Sequence, residues 1–116
     1  MGKSQFLKED QTFTQDLSTG ALSFTTSFAQ HPFHIDQIVF HFDAAVSETI
    51  TITLDSVKGA NYDAVLQDIV LVSETDLVWR PQGEANFQPG DQIKIECTQA
   101  GGSGTVYGIV KSSEPS

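Results

Sequence analysis

Three histidines, His31, His34 and His41, stand close together with Asp36 and Asp43 between and beside them, and imidazoles with carboxylates make transition-metal sites. Their spacing does not favour one. In an extended strand His34 and His41 point to opposite faces unless an extra residue intervenes, and no cysteine pair completes a zinc set. A second group, Asp55, Asn61, Asp63 and Asp91, offers oxygens suited to calcium. It lacks the regular acidic alternation of a calcium loop, and Asp and Asn are also the ordinary residues of turns.

Nucleophiles are as poorly supported. Ser103 lies between Gly102 and Gly104, without the G-x-S-x-G spacing or the strand-to-helix context of a nucleophile elbow, so it reads as a hairpin tip. The single cysteine, Cys97, ends a regular alternating run with no basic neighbour to lower its pKa. No carboxylate is isolated in an apolar run, where acid catalysis would need it. No catalytic, cofactor-binding or metal residues are assigned on these grounds, and an enzyme is not expected. Trp79, Tyr62 and Tyr107 form the remaining candidate, a stacking platform for sugar rings, against which stands the apolar strand context Leu77-Val78-Trp79.

The elements that must carry these residues show a period of two. Thr49-Ile50-Thr51-Ile52-Thr53-Leu54-Asp55 and Gln92-Ile93-Lys94-Ile95-Glu96-Cys97 alternate strictly, which places the isoleucines and Cys97 on a buried face. Phe33 and Ile35 share one parity and Ile38, Phe40 and Phe42 the other, so the pattern predicts a β-bulge near Asp36-Gln37. Tyr62–Val72 is long and apolar on both parities, suggesting burial on both sides or a bend between two sheets. Further strands are expected over Leu22–Phe28, Leu77–Trp79 and Thr105–Lys111, with a weaker one near Thr12–Leu17. Pro and Gly turns separate them at short intervals.

The reading is an all-β fold, an antiparallel β-sandwich of jelly-roll or Ig-like type with about seven or eight strands. Its expected organisation is an N-terminal polar arm over residues 1–20, a sandwich domain over 21–111 and a flexible tail over 112–116. At 116 residues and 39% apolar content one modest core is the limit. Six basic against fifteen acidic residues give a net charge of −9, which repels nucleic acid and anionic membrane. The polar start from Met1 to Asp10 carries no signal-peptide pattern, and no run reaches membrane-spanning length.

Four segments in order resemble small β-sandwich structural proteins of tailed bacteriophages, the head-decoration and accessory components of the virion. They are Thr51-Ile52-Thr53-Leu54-Asp55-Ser56-Val57-Lys58-Gly59-Ala60-Asn61-Tyr62-Asp63-Ala64-Val65-Leu66, then Asp76-Leu77-Val78-Trp79-Arg80-Pro81, Pro89-Gly90-Asp91-Gln92-Ile93-Lys94-Ile95 and Tyr107-Gly108-Ile109-Val110. The resemblance spans about Phe33 to Lys111 and leaves Lys3–Thr19 unmatched. It implies a disulfide-free domain, made in the host cytoplasm, that assembles by repetition on a particle through a viral shell or tail protein. A homo-oligomer is expected, and the arm over Lys3–Thr19 either pairs with a neighbour's sheet edge or is disordered. The competing expectation is a carbohydrate- or cell-surface-binding module on a similar sandwich.

Overall fold

A computed structural model of the chain describes residues 8–27, 31–81, 86–98 and 104–113. Nine strands run in the order β1 (Lys8–Asp16), β2 (Leu22–Thr25), β3 (Phe33–Val46), β4 (Thr49–Asp55), β5 (Ala64–Val70), β6 (Glu74–Trp79), β7 (Asn86–Phe87), β8 (Gln92–Cys97) and β9 (Thr105–Ser113). One sheet has the order β1-β9-β3-β6, with the short β7 also on β3, and the other the order β2-β8-β4-β5. All pairings are antiparallel. Apart from β7, these are two four-stranded sheets whose neighbours are mostly distant in sequence, the double-sheet arrangement of a jelly roll rather than of an Ig domain.

The alternation in each strand explains why the sheets face one another. The first sheet turns Phe13, Ile38, Phe40, Phe42, Val106 and Val110 inward, and the second turns in Leu22, Ile50, Ile52, Ile93, Ile95 and Cys97. Their removal from water is the main driving term for the fold, at roughly 1.5–3 kcal/mol for each large apolar side chain fully buried. The predicted bulge is present. The pairing of β3 with β9 slips between Ile35 and Gln37, which lets both apolar parities of the strand reach the core.

Three expectations need correction. Within the polar arm expected over residues 1–20, the weaker strand expected near Thr12–Leu17 is part of a longer one, since β1 pairs with β9 from Lys8↔Ser113 to Asp16↔Thr105 and Phe13 and Leu17 are buried in the core. Only two large apolar side chains anchor it, so composition alone reads as polar. The tail over 112–116 likewise begins too early, because β9 extends to Ser113, which is buried. Finally, Tyr62–Val72 is not doubly buried. A 3-10 turn over Ala60–Tyr62 precedes β5, the exposed edge of its sheet, with Leu66 bulged out of the pairing with β4. The crossing between sheets falls just beyond, at residues 71–73, where Leu71 N–H donates to the Glu48 carbonyl and Ser73 N–H to Ser47 Oγ. Parts of three expected elements, the arm's first seven residues, Phe28 and residues 114–116 of the tail, lie outside the described residues.

Candidate interaction surface

The side chains singled out for chemistry are held apart by the topology. The bulge does bring His34 and His41 to one face of β3, but they stand ~20 Å apart along the strand. His41 Nδ1 lies 2.8 Å from Asp76 Oδ1 on neighbouring β6, and this bond, with a second from Thr75, holds the Asp76 carboxyl below the usual carboxylate range. His34 belongs to a different cluster at the bulge. Ser113 Oγ is 2.8 Å from His34 Nε2 and donates to Asp36 Oδ1 at 3.1 Å, while Asp36 Oδ1 is 3.3 Å from the same Nε2.

A serine, a histidine and an aspartate in contact invite a nucleophilic reading, which the geometry opposes. In a working triad the carboxylate orients the imidazole from Nδ1 while Nε2 faces the hydroxyl. Here the carboxylate and hydroxyl crowd one nitrogen, and the hydroxyl is buried. The trio clasps the end of β9 onto the bulge of β3. Among the described residues no three His, Cys, Asp or Glu side chains are grouped to hold a metal ion.

The calcium candidates serve as turn pins. The buried Asp91 carboxylate accepts from Val57 N–H and Gln88 N–H, each at 2.9 Å, and Asp63 Oδ1 accepts from Ser56 N–H at 2.8 Å. Cys97 is buried on the inner face, where burial and the nearby Glu48 charge push its thiol up to about 11. It is therefore protonated and unreactive at neutral pH. Ser103 lies outside the described residues.

The aromatic platform does not form. Trp79 opposes Ile38 and faces inward, half-buried against the core. Tyr62 is 63% exposed in the turn before β5, and Tyr107 is 51% exposed on the opposite sheet. Tyr107 instead belongs to a pattern that no single strand reveals.

On the outer face of the first sheet the registers line up two rows across all four strands. Thr12 opposes Ile109, Ile109 opposes Val39 and Val39 opposes Val78. Beside them, Thr14 opposes Tyr107, Tyr107 opposes His41 and His41 opposes Asp76. Three apolar side chains in a row spanning about 10 Å are thus turned away from the core. Val78 is 46% exposed, and Val39 and Ile109 are half-buried by their neighbours. A shallow groove of about 570 Å³ runs over the rows, lined by Thr12, Thr14, Val39, His41, Tyr107 and Ile109.

The outer face of the second sheet has no counterpart. Its central strands present Thr49, Thr51, Thr53, Lys94 and Glu96, with an ion pair of 3.8 Å between the last two. That is the pattern of a solvated face. Its apolar residues are confined to the β5 edge, at Val65 and Val70.

No family model matches the chain, and no curated protein matches it. Several solved structures superpose on it. The Drosophila NLP core, a protein described for pentamer formation and histone binding, is 13% identical with a TM-score of 0.44, covering 90% of this chain and 97% of that one. A chain of infectious bursal disease virus, Gx strain, is 16% identical with a TM-score of 0.47, covering 94% of this chain and 31% of that one. A chain of the virus-like particle of the extra small virus of the giant freshwater prawn Macrobrachium rosenbergii is 12% identical with a TM-score of 0.29, covering all of this chain and 84% of that one. The chain thus spans about a third of the length of the bursal disease virus chain. With identities this low and TM-scores below 0.5, no function is carried over from any of them.

Proposed function

We propose that the chain is a non-enzymatic structural subunit of a virus particle, a decoration or accessory component of a tailed phage, acting through protein–protein contacts. The observation that carries this reading is the apolar row Ile109, Val39 and Val78, which crosses the central strands of one outer face, whereas the central strands of the other outer face present only polar side chains and its valines lie at the β5 edge. Strands favour β-branched residues even on exposed faces, but three of them aligned on neighbouring strands make a contiguous apolar strip that scattered surface residues do not. The four segments that resemble phage virion proteins agree with it, and jelly rolls serve in viral shells as well as in lectins, an analogy of fold alone.

Co-sedimentation tests the reading. The protein should pellet with intact particles and occupy them at a fixed stoichiometry, while showing no turnover of simple esters or glycosides. Protein that stays in the supernatant at every ionic strength contradicts it.

A carbohydrate-binding role is the second reading, favoured by one observation: the Tyr107 ring lies in the groove beside the Thr12 and Thr14 hydroxyls and His41. If that role holds, simple sugars at millimolar concentration should shift Tyr107 resonances, and Tyr107→Ala should abolish the shift.

A further inference from the structure

The registers place two more rows at the ends of the apolar one, and both are acidic. Asp10 opposes Lys111, which in turn opposes Gln37 beside Asp36 at the bulge. At the far end Asp16 opposes Thr105, whose N–H donates to Asp43 Oδ1 at 2.7 Å. With Asp76 at the β6 edge, five exposed aspartates border the apolar row. Against them stand Lys111, 3.7 Å from Asp10, and Arg80 at the end of β6. Hydrogen bonds from Ser18 and from His41 hold Asp16 and Asp76 below the ordinary carboxylate range, so both are charged at neutral pH.

We propose that this outer face docks a protein surface with an apolar centre and a cationic rim, supplied by a partner other than a second copy of this chain. The inference rests on the reading of the chain as an assembling subunit and names the chemistry of what it assembles on. Apolar surface supplies the attraction and the rim selects among partners, because like charges brought together across an interface cost several kcal/mol. A second copy laid on the same face sets five aspartates against five, with only Lys111 and Arg80 of each copy to offset them, so the facing rims carry an excess of like charge. The cationic partner satisfies the rim in any copy, which suits a subunit repeated over a particle.

The test uses the full chain, isotopically labelled, and a β-hairpin peptide with valines on one face bordered by lysines, together with a twin carrying glutamate in place of lysine. The lysine peptide should shift the amides of Val39, Val78 and Ile109 saturably and leave those of Thr51 and Thr53 in place. Its affinity should fall about tenfold between low and moderate salt. Val78→Lys, at an exposed edge position, should weaken it by a similar factor with the rest of the spectrum unchanged. If that variant does not fold, Tyr107→Ser serves in its place.

Failure of the lysine peptide to bind, equal shifts on both outer faces, equal binding of the glutamate twin, or concentration-dependent shifts of these amides without peptide would each overturn the proposal. Particle binding that survives Val78→Lys sinks this inference and leaves the structural-subunit reading standing. Absence of particle binding in the unaltered chain sinks that reading, while the peptide result still decides the chemistry of the face.

Discussion

At position 108 the absence of a side chain is what allows the Phe13 ring to reach the core. Gly108 lies directly opposite Phe13 and Phe40 in the sheet, and a Cβ built there would come 2.0 Å from Phe13 Cζ. The ring in turn stacks on Phe24 at 5.1 Å and meets Phe40 edge-on at 5.7 Å. Gly108→Ala should therefore cost about 1–3 kcal/mol by overpacking, and Phe13→Leu in the same chain should recover part of it, as read by chemical denaturation. Cys97 gives a prediction in pH. Its thiol is raised from an ordinary value of 9.0 to about 11, so the folded state keeps the proton that the unfolded chain releases. The stability from the buried neutral thiol is whole below pH 9 and is lost as pH climbs through the interval up to about 11. Melting curves of the natural chain and of Cys97→Val should run parallel below pH 9 and diverge above it, the natural chain falling faster. The inward position of Cys97 was legible in the alternation of Gln92–Cys97. The role of Ser113 was not, because its hydroxyl meets His34 and Asp36 only after β9 has paired with β3.

At the scale of the element, legibility followed the strength of the alternation. Thr49–Asp55 and Gln92–Cys97 are strands with the predicted ends, and the parity change in Phe33–Phe42 located the bulge, since only an inserted residue lets both apolar sets face one core. Strands with few apolar residues or ambiguous burial were harder to read. β5 is apolar on both parities and yet an edge, because the order of strands in a sheet is set by long-range pairing and not by local composition. β7 is two residues long and carries no periodic signal. β1 was expected only as a weaker strand near Thr12–Leu17 within a polar arm, and it is the nine-residue outer strand of the first sheet, which makes truncation informative. A chain begun at residue 18 loses the β1–β9 ladder together with Phe13 and Leu17, and Phe13→Ala alone should cost on the order of 3–5 kcal/mol. Against a stability of roughly 5–15 kcal/mol for a domain, the truncated chain should show no cooperative melting transition by circular dichroism. A sharp transition near that of the full chain would mean that β1 is dispensable to the sandwich.

For the whole molecule, the two outer faces differ in that one is polar across its central strands and the other carries the apolar row that the proposed docking would cover. Each strand's outward residues could be read from its own sequence, but the apolar row and its acidic border exist only because β1, β9, β3 and β6 lie side by side, an order that no local pattern encodes. In the proposed function this face is covered when the protein does its work. The chain's two tyrosines provide an internal control, since Tyr107 stands on that face and Tyr62 in the turn before β5, at 51% and 63% exposure. Hydroxyl-radical footprinting of free and particle-bound protein reads both rings in one experiment. Tyr107 should be oxidised readily in the free chain and protected severalfold on the particle, while Tyr107 labelling that is unchanged on binding would contradict the claim.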